Sequence, residues 1–197
     1  MKIAVFASHN GSVLQSIIDG CNENILCAEV CAVFSNNSQS VALKRARDNN
    51  IPAFHFSQKV IPDLEQLENA VLDKLMECET NIIFLAGYMK KLGSSILRAY
   101  ENNIFNIHPS LLPKYGGKGM YGINVHSAVI NAKETETGIT IHRVSEEYDE
   151  GEIVAQTRVP VLQNDTPESL ALRILQQEHV FVVDFLSKFN WKEASAL

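Results

Sequence analysis

The segment NIHPSLLPKYGGKGMYG, residues 106–122, sets an amide side chain and an imidazole two residues apart. If this stretch closes a strand, Asn106 and His108 share one face at its carboxyl end. An imidazole there can do acid–base work, and the amide beside it favours a chemical role over a satisfied half-buried imidazole. In an open α/β sheet, that end of the strands is where ligands bind. Pro109 keeps His108 extended and stops a helix from following. The loop after it, 109–123, carries Gly116, Gly117, Gly119 and Gly122. Long Gly-rich loops inside compact domains are functional or mobile.

A His in acid–base work needs a carboxylate to orient it. The turn EEYDEG supplies Glu146, Glu147, Asp149 and Glu150 as candidates. Position at the tip of a hairpin leans to Asp149 without excluding the others. A second chemistry is suggested near the start. Gly11-Ser12 falls between an apolar run and a helical pattern, where free N–H groups and the helix dipole favour an anion such as phosphate. The dinucleotide fingerprint G-x-G-x-x-G and the P-loop G-x-x-x-x-G-K-[ST] are both absent. Ser12 as a plain helix cap is the simpler alternative. Glu178 falls inside an apolar helical stripe that includes Leu170, Ile174, Leu175, Phe181 and Val182. A carboxylate there is costly unless it meets a buried cation or faces a polar pocket.

The elements that must position these groups alternate. Residues 2–7, 27–34, 51–56 and 81–87 read as strands, and helical patterns follow the first three, with the third helix at 62–79. That order predicts a mostly parallel, Rossmann-like sheet with helices on both faces. Residues 103–108 form another strand, and a short helix lies near 124–132. TGITIHRV and EIVAQTRVPV flank the EEYDEG turn as an antiparallel pair. A long last helix opens at Thr166-Pro167-Glu168 and runs to about residue 189. One α/β domain over 1–197 is expected, with a Rossmann-like half in 1–100 and a second half in 101–197.

Bulk properties narrow the classes. The chain has 197 residues, 46% of them apolar and 20% charged, which suits a folded globular chain. A net charge of −6 argues against nucleic acid or an anionic membrane as the main partner. No signal peptide or membrane-length apolar run is evident. Cys21, Cys27, Cys31 and Cys78 make no C-x-x-C pair. They read as buried reduced thiols of a cytoplasmic protein, with Cys27 and Cys31 on one strand face. No metal site is expected.

The order NGSVLQSII (10–18), LAGYMKKL (85–92), NIHPSLLPKY (106–115), the YDEG turn (148–151) and QQEH (176–179) resembles the glycinamide ribonucleotide formyltransferases over nearly the whole chain. The resemblance implies the formyltransferase fold and transfer of a formyl group from 10-formyltetrahydrofolate to the amine of glycinamide ribonucleotide, in purine biosynthesis. The same chemistry on another phosphate-bearing or nucleotide-sugar amine is the alternative. It implies catalytic roles for Asn106, His108 and Asp149, with Asp149 raising the pKa of His108. Gly11, Ser12 and the Val13 N–H would take the phosphate, and Glu178 the ribose hydroxyls or the amine. Tyr88, Met89, Lys90, Lys91 and Leu92, with Asn106 and the 145–149 backbone, would hold the folate. The implied state is monomer or homodimer. Three positions depart from the usual pattern: Val13 and Leu175, where polar residues are common, and Leu64, where a basic residue is common.

Overall fold

The computed structural model describes residues 1–189. The elements in chain order are β1 (Lys2–Phe6), α1 (Ser12–Asn22), β2 (Glu29–Ser35), α2 (Val41–Asp48), β3 (Ala53–His55), α3 (Leu64–Glu77), β4 (Ile82–Leu85), α4 (Ser94–Ala99), β5 (Ile104–His108), α5 (Ile123–Asn131), β6 (Glu136–Arg143), β7 (Ile153–Pro160) and α6 (Pro167–Lys188). One seven-stranded sheet runs β3-β2-β1-β4-β5-β6-β7. β1 to β5 pair in parallel, and β5–β6 and β6–β7 pair antiparallel. The chain winds outward from β1 to β3, then returns to lay β4 on the other side of β1. That reversal opens a crevice at the carboxyl ends of β1 and β4.

Strand alternation sorts the core into two layers. Ile3, Val5, Ile82, Phe84, Phe105 and Ile107 face one side with residues of α1 and α6. Ala4, Phe6, Ile83, Leu85 and Ile104 face the other with Val71 and Leu75 of α3 and Ile96 of α4. Strands buried on both faces read as continuous apolar runs, and this is why IIFL shows no period of two. α6 buries Leu170, Ile174, Val182 and Leu186, while Phe185 meets Phe105 edge-on at 5.6 Å between centroids. Its start is fixed by a reciprocal cap: Thr166 accepts from the Ser169 N–H, and Ser169 Oγ accepts from the Thr166 N–H. Among the described residues no helix is long and apolar enough to cross a membrane.

Two expectations need correction. Cys27 is exposed and lies before β2, so it shares no strand face with Cys31; the other three cysteines are half-buried. The turn between α1 and β2 runs over the surface and carries Cys27 with it. Helix α4 was not legible in the sequence. Its six residues hold few turns of pattern, and its first N–H groups are satisfied from elsewhere in the fold: Glu68 of α3 accepts from Ser95 N, Ser95 Oγ and Ile96 N. A Cβ at Gly93 would sit 2.0 Å from Glu68 Cδ, so a larger residue there would push that carboxylate off the helix start.

Candidate active site

The carboxyl ends of β1, β4 and β5 open onto a cavity of about 790 Å³. Asn106 and His108 both line it, as their spacing on β5 requires. Asp149, on the turn between β6 and β7, sits between them with its side chain only 11% exposed. Its Oδ2 accepts from the Gly117 N–H at 2.9 Å and lies 3.6 Å from His108 Nδ1. Its Oδ1 accepts from Asn106 Nδ2 at 3.4 Å and lies 3.5 Å from His142 Nε2. Asp149 has φ 58, a left-handed conformation that Asp and Asn tolerate better than most residues. Gly151, two residues on, has no room for a side chain: a Cβ there would sit 1.7 Å from the Arg143 carbonyl oxygen. Of the four acidic candidates in the turn, the structure therefore brings Asp149 to the histidine. Lys91 holds the other side of the turn, donating to the Glu146 carbonyl at 2.7 Å and pairing with Glu147 at 3.3 Å.

Electrostatics separate the two groups. Burial pushes the Asp149 carboxyl up, but hydrogen bonding with His142, the charge of His108 and the Gly117 N–H outweigh it, so it stays below its usual value. Burial and Asp149 act on His108 in opposite directions. Burial lowers its pKa, and the opposing pull of Asp149 only partly offsets that loss of solvation. Asp149 therefore raises the His108 pKa as expected, while burial of the ring, which is 4% exposed, makes the net shift a fall. His108 Nε2 donates to the Tyr115 carbonyl at 2.8 Å, which leaves Nδ1 as the nitrogen facing Asp149.

His142 was missed in the sequence. It stands opposite Asn106 in the β5–β6 register, and Asn106 Nδ2 contacts its Nε2 at 3.0 Å. Its Nδ1 is held by the Arg143 carbonyl at 2.8 Å. The alternation of TGITIHRV shows a face for His142 but not the strand it faces. His126 of α5 also lines the cavity, with its Nδ1 buried and unpartnered among the described residues. No group of three His, Cys, Asp or Glu side chains among the described residues is placed to hold a metal.

The far end of the cavity is lined by Gly11, Ser12 and Val13 at the start of α1, with Leu175 and Glu178 from α6. Gly11 has φ 65, and a Cβ there would meet Ala42 Cβ at 2.7 Å, so glycine is required. Among the described residues no cation is within ion-pair reach of Glu178. It is half-buried against the cavity, and burial pushes its carboxyl up to about 8. Of the two fates weighed for this residue, it takes the pocket-facing one. Tyr88, Met89, Lys90, Lys91 and Leu92 line the remaining wall, opposite residues 144–148. The Met89 N–H is held by Ser8 Oγ at 2.8 Å, and the Tyr88 ring packs edge-on to Phe6 at 5.2 Å.

A Rossmann-like sheet that brings an amide, an imidazole and a carboxylate to one cavity at its strand ends is an arrangement suited to acyl-type group transfer. The profile of the formyl transferase family matches residues 1–186. The chain belongs to that family. It is 43% identical to a chloroplastic phosphoribosylglycinamide formyltransferase of Vigna unguiculata over 93% of this chain, and it spans 59% of that relative's length. A phosphoribosylglycinamide formyltransferase of Haemophilus influenzae is 38% identical over 90% of this chain and 82% of its own. Among solved structures, a glycinamide ribonucleotide transformylase of Geobacillus kaustophilus superimposes with a TM-score of 0.88 at 37% identity, covering 94% of this chain and 96% of that one.

Proposed function

We propose that this chain transfers the formyl group of 10-formyltetrahydrofolate to the amine of glycinamide ribonucleotide, giving formylglycinamide ribonucleotide and tetrahydrofolate in purine biosynthesis. The observation that carries the reading is the placement of Asn106, His108 and Asp149 on one cavity that also holds an anion-ready helix start and Glu178. The names borne by its relatives support it. We read residues 1–197 as one formyltransferase domain, acting in the cytoplasm as a monomer or homodimer, with no metal required.

In this mechanism the phosphate rests on the N–H groups of Gly11, Ser12 and Val13 at the positive end of α1. Glu178 accepts from the ribose hydroxyls or the amine. The folate lies between Tyr88–Leu92 and the 145–149 backbone. The neutral amine attacks the formyl carbon, and the carbonyl electrons move onto oxygen. Asn106 donates to that oxyanion. Its long 3.4 Å contact with Asp149 is the one the oxyanion displaces, while the 3.0 Å contact with His142 keeps the amide oriented. The amine's proton passes to His108 Nδ1, whose charge Asp149 then balances. Collapse of the intermediate breaks the carbon–nitrogen bond to the folate, and the proton goes to the departing folate nitrogen. A neutral His108 at rest suits this sequence, because the base must be empty before it can accept.

The deciding assay mixes purified protein, 10-formyltetrahydrofolate and glycinamide ribonucleotide and follows tetrahydrofolate release by absorbance. Turnover that disappears in His108→Ala is the expected result. A protein that binds the folate but leaves glycinamide ribonucleotide unformylated would overturn the acceptor assignment.

A further inference from the structure

The anion-ready end of the cavity lacks a cation of its own. Val13 and Leu175 line it with apolar side chains, and Glu178 brings no positive charge. The nearest guanidinium lies one layer behind, on α2. Arg45 Nε donates to the Asn10 carbonyl at 2.9 Å, and its Nη atoms donate to Gln15 Oε1 at 3.2 Å and Asn10 Oδ1 at 3.4 Å. These partners are all neutral oxygens, and among the described residues no carboxylate pairs with Arg45.

Three consecutive carbonyls of the loop are tied back in this way. His9 O accepts from the Ala42 N–H at 3.1 Å, Asn10 O from Arg45, and Gly11 O from the Gln15 N–H at 3.1 Å. Gly11 is pressed against Ala42 at the same place. A peptide whose carbonyl is turned out presents the following N–H inward. A dianion is repelled by carbonyl oxygens and attracted by N–H groups, so this outward set of carbonyls makes the loop selective for anions.

We infer that Arg45 is the positioning residue for the substrate phosphate, fixing the Asn10 carbonyl away from the cavity and standing behind the loop as its balancing charge. This rests on the functional reading above. The charge is close enough to be felt on the other side of the loop as well: His179 of α6 is lowered first by burial and then by Arg45. Arg45 touches no ligand in this arrangement and acts through the backbone of Asn10.

The test compares wild type, Arg45→Gln and Arg45→Lys, each confirmed folded by circular dichroism and melting temperature. Two readouts are taken. The first is the Kd of inorganic phosphate by calorimetry. The second is the KM and kcat for glycinamide ribonucleotide and for its dephosphorylated riboside. Arg45→Gln is expected to weaken inorganic phosphate and raise the ribonucleotide KM by about tenfold, as loss of one nearby charge in a partly screened site would. kcat and the riboside KM stay put, and Arg45→Lys recovers part of the loss by keeping the charge without the fork. Equal losses for ribonucleotide and riboside, or no change in the phosphate Kd, overturn the inference. A wild type inactive on the ribonucleotide overturns the acceptor reading instead, while the phosphate Kd of Arg45→Gln still decides the role of Arg45.

Discussion

At the scale of single residues, Asp149 is the most connected group of the site, touching Asn106, His108, His142 and the Gly117 N–H. Asp149→Asn keeps the shape and the left-handed backbone but removes the charge that balances a protonated His108. We expect kcat to fall by about 100-fold or more with KM little changed, the pattern of a contact made in the transition state. Steady-state kinetics on both substrates checks this, and a variant with near-full kcat would remove Asp149 from the proton path. The pH profile adds a sign. Burial lowers the pKa of His108 and Asp149 pulls it partly back up. The acidic limb of kcat/KM for wild type is therefore expected below the usual His value, and in Asp149→Asn it should move further down. A limb that moved up in the variant would mean that another group titrates. His142 belongs to this scale too: its replacement by Phe should lower kcat by releasing the Asn106 amide, with the fold retained.

Among the elements, α1 and α6 each serve both core and site. On α1, Leu14, Ile17 and Ile18 are buried while Ser12 opens onto the cavity. Ser12→Asp separates the two roles. A carboxylate in the first turn favours the helix dipole, so the melting temperature should hold or rise. The same charge repels a phosphate, so the KM for the ribonucleotide should rise strongly. A Gly11→Asp change would confuse these effects, because any Cβ there clashes with Ala42. On α6, Ile174 is fully buried and Glu178 lies one turn further on, facing the cavity. Ile174→Ala is expected to cost about 2–5 kcal/mol of unfolding free energy in urea denaturation, through lost burial and the void left behind.

For the whole molecule, the fold seats an acid of α6, half-buried, on the cavity wall. Burial pushes Glu178 up to about 8. The unfolded chain releases this proton near the ordinary Glu value, while the folded chain holds it until about pH 8. Stability from this group is therefore complete at low pH and declines as pH rises through that window. Glu178→Gln should flatten that part of the stability profile of the ligand-free protein, as read by urea unfolding at pH 5 and pH 8. If the two proteins lost stability in parallel, the raised pKa would be wrong. Occupation of the cavity should reduce the difference, because a hydroxyl or amine donor offsets the lost solvation.

Short-range chemistry was legible in the chain itself. The apolar runs gave the strands, the Thr166-Pro167 cap gave the last helix, and Asn106 with His108 shared a face because a strand repeats every two residues. Gly11-Ser12 stood out as a candidate anion site because glycine and a helix start are local features. Tertiary structure decided what depends on register and packing. It chose Asp149 over its acidic neighbours through the path of the β6–β7 turn, and brought in His142 through the pairing of β6 with β5. It set the net direction of the His108 shift, since burial cannot be read from spacing. It also built α4 on a carboxylate from α3 and set Arg45 behind the 9–11 loop from a helix some thirty-five positions away in sequence. Local sequence specifies backbone preference and side-chain face, whereas desolvation and long-range contacts exist only once the sheet has closed around them.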